Sequence, residues 1–288
     1  MTIFQQRAIT AIIFAAVMLT GLFFNESSFN LLFLVISTGC VWEFLDMTLP
    51  NEVYKNVRKI IGALASVGLV LLFSNTLTGT FSPLSEQILP ANNGSSSLYF
   101  ILFLSFLLLT VELFLKAALP FNNVALLIFS LIYLSLPFSL LTHFTHLSGS
   151  RSFTPNVVAG VLFLTWANDS FAYIIGSKIG KTPFFLRVSP KKTWEGTIGG
   201  GVCCMIMAGI IAQFFTELEL TDWLIIGGII AVFGTIGDLV ESLLKRSVGV
   251  KDSGNFMPGH GGFLDRFDAF IFCIPFVYVY LSFVKDLI

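Results

Sequence analysis

Residues 98–117 read LYFILFLSFLLLTVELFLKA, and Glu112 and Lys116 are the only charged side chains among them. An α-helix rises about 1.5 Å per residue, so about 20 apolar residues cross a hydrocarbon core about 30 Å thick. Irregular chain cannot replace the helix there, because unpaired backbone N–H and C=O groups are too costly in lipid. The stretch therefore predicts a transmembrane helix.

The composition of the whole chain supports this interpretation. Of its 288 residues, 55% are hydrophobic and 11% are charged, and the mean hydropathy is +0.87. A soluble domain is roughly 45–50% apolar and about 25% charged. The formal net charge of -1 and the lack of a basic run or zinc-finger pattern argue against nucleic-acid binding. Lipid is therefore expected to surround most of the chain.

Similar apolar stretches recur along the sequence and predict an all-α, polytopic integral membrane protein. The first follows Arg7 and has no small-residue cleavage site after it, so we interpret it as a retained helix rather than a signal peptide. The nine predicted spans lie near residues 8–24, 29–46, 60–77, 98–117, 124–142, 157–175, 197–215, 223–244 and 267–285.

The distribution of lysine and arginine predicts the orientation, since basic residues are retained on the cytoplasmic side. With nine spans and a cytoplasmic N-terminus, the C-terminus is external, and only Arg151 and Lys285 fall outside. The residues expected on the cytoplasmic side are Arg7, Lys55, Arg58, Lys59, Lys116, Lys178, Lys181, Arg187, Lys191, Lys192, Lys245, Arg246, Lys251 and Arg266.

Ionisable residues divide the chain into two parts. In the first five spans we single out one, Glu112, which can pair with Lys116 one helical turn later. Residues 1–150 are therefore interpreted as structural transmembrane helices that provide a lipid-access or dimer region. Residues 151–288 are predicted to form the catalytic region, with cytoplasmic loops at 176–196 and 245–266.

The last four spans carry aspartates in or near the predicted hydrocarbon region: Asp169, Asp238, Asp265 and Asp268. Such carboxylates are costly, so they are expected to face a cavity, a metal or a partner. Asp169 and Asp238 each lie about six residues, or about 9 Å, from the predicted cytoplasmic end of their helix, so they can share one layer. Asp238, Ser242 and Lys245, spaced i, i+4 and i+7, lie on one helix face.

Two predicted cytoplasmic loops are basic and rich in glycine. The first contains SPKKTWEG at 189–196, and the second contains KDSGNFMPGHGGFLDRFD at 251–268. Glycine lets the backbone approach an anion closely, lysine and arginine neutralise phosphate, and carboxylates hold a hard divalent cation. These residue types are what a nucleoside triphosphate with Mg²⁺ requires. His260 is either part of such a site or a loop histidine packed among glycines.

Each candidate residue also has a structural interpretation. The cytoplasmic lysines and arginines can serve topology and lipid-headgroup contact alone. Asp265 and Asp268 can cap the last helix. Asp238 can pair with Lys245, although that gap is long for a direct contact. Glu241 and Lys245 form an ordinary i, i+4 pair, which we interpret as structural.

At these positions the sequence resembles the phosphatidate cytidylyltransferases, also called CDP-diacylglycerol synthases. The family signature has the form S-x-x-K-R, four residues, K-D-x-G, a short spacer, and P-x-H-G-G-x-x-D-R-x-D. Met257 stands where the strict pattern has Leu, Ile or Phe, which is a conservative change. The stretches at 189–196 and 168–173 are also similar to the family. The matching signature residues are Ser242, Lys245, Arg246, Lys251, Asp252, Gly254, Pro258, His260, Gly261, Gly262, Asp265, Arg266 and Asp268.

The resemblance implies a nucleotidyltransferase that condenses CTP with phosphatidate to give CDP-diacylglycerol and pyrophosphate in phospholipid biosynthesis. It also implies a homodimer, the use of Mg²⁺ with a monovalent cation such as K⁺, and a bacterial inner (plasma) membrane with the active site facing the cytoplasm. As implied roles, Asp238, Lys245 and Asp265 are catalytic, and Asp238, Asp265 and Asp268 bind metal. The implied substrate-binding residues are Ser189, Lys191, Lys192, Ser242, Arg246, Lys251, His260 and Arg266.

Two other classes of protein compete with this interpretation. A transporter or ion channel also carries buried carboxylates, but it places its binding groups near mid-membrane and does not need a basic, glycine-rich loop. A CDP-alcohol phosphotransferase would carry a D-G-x-x-A-R motif with further spaced aspartates, and the sequence contains none. A Walker A loop and a strand-associated G-x-G-x-x-G are absent as well.

Overall fold

The computed structural model describes residues 3–73, 93–115, 117–147, 152–254, 256 and 261–287. Within these ranges the chain forms nine helices and one short antiparallel hairpin. The helices are α1 Ile3–Phe23, α2 Glu26–Thr48, α3 Lys55–Phe73, α4 Asn93–Leu115, α5 Pro120–Thr145, α6 Asn156–Ile179, α7 Trp194–Phe214, α8 Leu220–Ser247 and α9 Leu264–Val284. The hairpin consists of β1 Pro183–Phe185 and β2 Ser189–Thr193.

The predicted all-α, polytopic class is confirmed. A helix lies at each predicted span, and six of them, α2 and α5–α9, are long and apolar enough within the described ranges to cross a membrane. Large apolar side chains also face outward, as expected in lipid. Leu113 and Phe114 of α4, for example, are each 78% exposed. The number of spans that cross the bilayer and their orientation stay predictions.

Local capping explains where several helices begin. The Asn25 side chain accepts a hydrogen bond from the Ser28 N–H at 2.7 Å and starts α2. The Thr193 hydroxyl accepts one from the Gly196 N–H at 3.2 Å, so α7 begins at Trp194, three residues before its predicted start. A capping side chain satisfies N–H groups that have no partner inside the helix.

The chain divides into two compact units, and the first comprises Met1–Thr142 and Ser253–Leu264. Polar contacts join its helices in an otherwise apolar interior. The buried hydroxyls of Ser37, Ser66 and Ser135 form a chain with oxygen separations of 3.0 and 2.8 Å. Interhelical hydrogen bonds matter here because lipid provides little hydrophobic drive for helix association.

A buried ion pair joins α3 to α4 in the same unit. The Arg58 Nε and Nη2 atoms donate to the two Glu112 oxygens at 2.6 and 2.9 Å, and the side chains are 1% and 4% exposed. Glu112 is therefore a structural residue held by Arg58. Lys116, its predicted partner, lies outside the described residues.

The second unit comprises His143–Asp252 and Asp265–Ile288. Its helices α6 and α7 approach closely because α7 carries glycine at the contact: a Cβ atom at Gly200 would lie 2.8 Å from the Asn168 carbonyl oxygen. Helix α8 contains a π-helical turn at Ile230–Gly234, immediately before the helical segment that carries Asp238. These two features bring polar residues of α6, α7 and α8 near one another.

Candidate active site

A cavity of about 440 Å³ opens in the second unit. Its walls come from α6, β2, the first turn of α7 and α8. Asp169 and Asp238, which the sequence predicts to share one layer, both line it. The other polar lining residues include Asn168, Lys191, Lys192 and Thr235.

Lys192 and Asp238 form an ion pair at this cavity. The Lys192 Nζ atom lies 2.5 Å from Asp238 Oδ2, and the two side chains are 25% and 31% exposed. The Ser242 hydroxyl donates a long hydrogen bond of 3.4 Å to Asp238 Oδ1. A partly exposed pair of this kind contributes little net stability. The lysine can therefore exchange its carboxylate partner for a phosphate at small cost.

The hairpin holds the two cavity lysines, because both lie on β2. Pro183 pairs with Thr193 and Phe185 with Ser189 across the strands. Glu195, in the first turn of α7, accepts hydrogen bonds from the backbone N–H groups of Lys181 and Thr182 at 3.1 Å. The base of the hairpin is thus tied to the start of α7, which fixes the backbone beneath Lys191 and Lys192.

A second cluster, the Lys245 cluster, consists of Lys245, Glu241 and Asp265. The Lys245 Nζ atom lies 2.5 Å from Glu241 Oε2 and 2.6 Å from Asp265 Oδ1. The exposed fractions of the three side chains are 11% for Lys245, 1% for Glu241 and 9% for Asp265. The predicted Glu241–Lys245 pair is confirmed. Lys245 contacts Asp265 rather than Asp238, whose lysine partner is Lys192.

Two further carboxylates, Asp268 and Asp169, lie near the Lys192–Asp238 pair or the Lys245 cluster. Asp268 interacts electrostatically with Asp238, Glu241 and Asp169, and Asp169 interacts with Asp238 and with the side chain of Arg266. Several negative charges are therefore concentrated in one part of the second unit. Like charges that lie this close together are offset by cations or by protonation.

The donor chemistry of these residues fits Mg²⁺. Among the described residues, no three His, Cys, Asp or Glu side chains stand close enough together to form a complete metal site. Mg²⁺ does not require three, since it is usually held by one or two carboxylates together with water and substrate phosphates. Asp238, facing the cavity beside Asp169, offers the hard oxygen ligands that this mode of binding needs.

Other predicted site residues lie away from the cavity lining. Ser189 begins β2 without lining the cavity, and the Lys251 side chain is exposed. The Arg246 Nη1 atom donates to the Val250 carbonyl oxygen at 3.0 Å. His260 lies outside the described residues. Whether these residues contact substrate stays a prediction.

Three residues that are prominent in the structure, Asn168, Thr235 and Glu43, were not among the predicted site residues. Asn168 and Thr235 both line the cavity. Thr235 lies three residues before Asp238, so helical spacing could have indicated it.

The choice of Glu112 as the one notable ionisable residue of the first five spans was wrong. Glu43 lies within α2, is 8% exposed and contacts Ser253, Phe263 and Leu264.

The chain is similar over nearly its whole length to known proteins. Residues 5–284 match the cytidylyltransferase family. The phosphatidate cytidylyltransferase of Bacillus subtilis (strain 168) is 32% identical over 280 residues, which cover 96% of this chain and 97% of the relative. That of Staphylococcus haemolyticus (strain JCSC1435) is 32% identical over 277 residues, with 96% and 98% covered. That of Staphylococcus aureus (strain COL) is 30% identical with the same coverage. The chain therefore belongs to the cytidylyltransferase family, and it is a nucleotidyltransferase of the membrane.

Proposed function

We infer that the protein is a phosphatidate cytidylyltransferase, which converts CTP and phosphatidate to CDP-diacylglycerol and pyrophosphate in phospholipid synthesis. The observation that carries this proposal is the Lys192–Asp238 pair on a cavity lined by β2 and by the membrane-capable helices α6, α7 and α8. A soluble nucleotide needs cations for its phosphates, and a lipid substrate needs a site within reach of the bilayer. The names of the relatives in Bacillus and Staphylococcus support the same pair of substrates.

The proposed reaction is a substitution at the α-phosphorus of CTP. An oxygen of the phosphatidate phosphate forms the new P–O bond, and the bond from the α-phosphorus to the oxygen that bridges to the β-phosphorus breaks. The electron pair of the broken bond leaves with pyrophosphate. Because the attacking oxygen is already anionic, no strong general base is needed. The barrier consists mainly of charge repulsion and alignment.

The residues of this chain lower that barrier by binding and orienting phosphates. Lys192 moves from Asp238 to a substrate phosphate, and Lys191 binds beside it on β2. Lys245 orients the Asp265 carboxylate. The remaining proposed substrate contacts are made by Ser189, Ser242, Arg246, Lys251, His260 and Arg266.

We also propose that Asp238, Asp265 and Asp268 provide the carboxylate ligands for Mg²⁺, with one or two of them binding an ion together with water and substrate phosphate, and that a monovalent cation such as K⁺ is used as well. When bound, Mg²⁺ neutralises negative charge on the reacting phosphates. Release of Lys192 from Asp238 frees that carboxylate for the cation while the lysine turns to the nucleotide. Lys192 and Asp238 would thereby each exchange one charged partner for another, so neither charge would be left unpaired.

The proposal extends to location and assembly. We place the protein in a bacterial inner (plasma) membrane as a homodimer, with its cavity facing the cytoplasm. CTP is a soluble cytoplasmic nucleotide, so the predicted cytoplasmic position of the basic loops suits the reaction. Light scattering of the detergent-solubilised protein will measure the mass and test the dimer.

Pyrophosphate release tests the proposed reaction. Purified protein receives phosphatidate, Mg²⁺ and either CTP or ATP, beside an Asp265→Asn variant and an Asp46→Asn control. Asp46 is a suitable control because its side chain is 56% exposed at the end of α2. We expect release with CTP, loss of release in Asp265→Asn and normal release in Asp46→Asn. Full activity in Asp265→Asn would remove that residue from the site. Folded wild-type protein that releases no pyrophosphate with either nucleotide would contradict the function.

A further inference from the structure

A buried carboxylate of α2 binds both ends of the glycine-rich segment Ser253–Leu264, within the first compact unit. Glu43 Oε2 accepts hydrogen bonds from the Ser253 hydroxyl at 3.1 Å and from the Leu264 N–H at 3.0 Å. Glu43 Oε1 accepts one from the Phe263 N–H at 3.0 Å. Glu43 thus binds residues that follow it by 210 to 221 positions in the sequence.

The charge of Glu43 suits the place where it binds. Helix α9 begins at Leu264, and the N–H groups at the start of a helix have no partner inside it. These groups also form the positive end of the helix dipole, so a carboxylate is the favoured acceptor. Glu43 therefore caps α9 from another helix, and Asp265 is the next residue after the capped one.

Two glycines of the segment owe their identity to this carboxylate. A Cβ atom at Gly254 would lie 2.5 Å from Glu43 Oε1, and one at Gly262 would collide with both Glu43 oxygens. The glycines of this segment are predicted from the sequence to let the backbone approach an anion. For these two positions the anion in the structure is the protein's own Glu43 rather than a substrate phosphate.

An aromatic contact holds the same end of the segment on the same face of α2. A Cβ atom at Gly39, one helical turn before Glu43, would lie 2.6 Å from Phe263 Cδ2, so the ring packs directly against the helix backbone. Phe256 stacks on Phe263 with a centroid distance of 4.1 Å. The end of the segment at Phe263 is therefore held by packing as well as by hydrogen bonds.

We propose that Glu43 is a positioning residue for the cytidylyltransferase reaction, which fixes the two ends of the segment and through them the adjoining Asp252 and Asp265. The inference rests on the proposed function, because Asp265 matters only if it acts in that reaction. Glu43 touches no reacting atom. It acts by setting the backbone from which the catalytic carboxylate projects.

The position of the segment can be measured without activity, by hydrogen exchange of the Phe263 and Leu264 amides. In Glu43→Gln one acceptor oxygen becomes an NH₂ group that faces an N–H donor, so one hydrogen bond is lost. We expect exchange at these amides to accelerate about 10-fold or more. Asp46→Asn, the same change one turn along α2, should leave it unaltered. Unchanged exchange in Glu43→Gln would overturn the inference, whether or not the wild-type protein is active.

Steady-state kinetics separate positioning from simple binding. A small displacement of a catalytic group can cost about 100-fold in rate. We expect Glu43→Gln to lower kcat by roughly that factor while KM for CTP changes less than about 3-fold. A rise in KM with normal kcat would contradict positioning. If wild-type protein releases no pyrophosphate at all, the proposed function fails, and the exchange measurement still decides whether Glu43 holds the segment.

A double-mutant cycle tests the contact itself. Gly254→Ala should lower kcat in the wild-type background because its methyl group meets Glu43. Glu43→Ala removes the obstacle, so adding Gly254→Ala to it should change kcat less than about 2-fold. Equal losses in both backgrounds would show that Gly254 is required for another reason. Should the Glu43 variants fail to fold, Ser253→Ala deletes one of the three donors. Normal kcat and normal exchange in that variant would refute the inference.

Discussion

Replacement of Lys245 by methionine tests the Lys245 cluster, because it removes the cation while keeping most of the side-chain volume. The Glu241 and Asp265 carboxylates, 1% and 9% exposed, would then remain buried together without it. At 2.5 and 2.6 Å, each contact supplies about 6 kcal/mol of Coulomb energy at an effective dielectric constant of about 20. Desolvation offsets part of this, and losing one partner of a buried pair typically costs about 3–5 kcal/mol.

We therefore expect Lys245→Met to lower the free energy of unfolding by about 3–5 kcal/mol. At roughly 2–4 °C per kcal/mol for a chain of this size, Tm should fall by about 10 °C. Tryptophan fluorescence of the detergent-solubilised protein during heating measures this. Adding Glu241→Gln should restore about half of the loss, because it removes one of the two buried carboxyl groups that would be left without a cation.

Lys55→Met is the matched control, since Lys55 pairs at 3.4 Å with the 56% exposed Asp46. A pair whose carboxylate is exposed and keeps a second cation, Lys59 at 2.7 Å, contributes about 1 kcal/mol or less, so Tm should barely change. Equal Tm values for the two lysine variants would refute the argument that Lys245 compensates buried charge. Failure of Glu241→Gln to restore stability would refute the account of which charges it compensates.

Three further predictions concern two residues of the cavity and the contact between α6 and α7. Asp238→Asn should lower the rate of CTP-dependent pyrophosphate release by about 100-fold or more. Its Tm in the same fluorescence assay should stay within about 2 °C of the wild-type value, because the pair with Lys192 is partly exposed. Release near the wild-type rate would exclude a catalytic role for Asp238. Lys192→Met should raise KM for CTP by about 10-fold through loss of a charged phosphate contact, as measured by steady-state kinetics, and an unaltered KM would place the nucleotide elsewhere. Gly200→Val should lower the free energy of unfolding by about 1–3 kcal/mol in a thermal unfolding experiment, because its Cβ would lie 2.8 Å from the Asn168 carbonyl oxygen. Wild-type stability in this variant would show that α6 and α7 can separate there.

The sequence predicted the features that depend only on residues close together in the chain. Apolar length alone located the helices, since a bilayer imposes one solvent and one thickness on each of them. Helical spacing correctly placed Glu241 next to Lys245 and placed Ser242 on the Asp238 face. Asp169 and Asp238, which helical spacing predicted to share one layer, both line one cavity.

Contacts between distant parts of the chain could not be derived in this way. Arg58 and Glu112 lie 54 positions apart, and spacing along one helix says nothing about which other helix will face it. Glu43 was overlooked because it lies near the end of its predicted span, where an acidic side chain can reach water, whereas here it is buried against a distant segment. The hairpin escaped prediction because β1 and β2, of three and five residues, are too short for a period-two pattern to stand out.

The π-helical turn Ile230–Gly234 limits where residues can be inserted into or deleted from α8 during evolution. A π turn accommodates one residue more than the α-helix it interrupts, and one residue corresponds to about 100° of rotation. Asp238 follows that turn in the same helix and points into the cavity. Deletion of a single residue from the turn would give a more regular helix with the aspartate directed elsewhere. The irregular turn thus sets the angular register of Asp238, and α8 can lose or gain a residue before it only at the expense of the cavity.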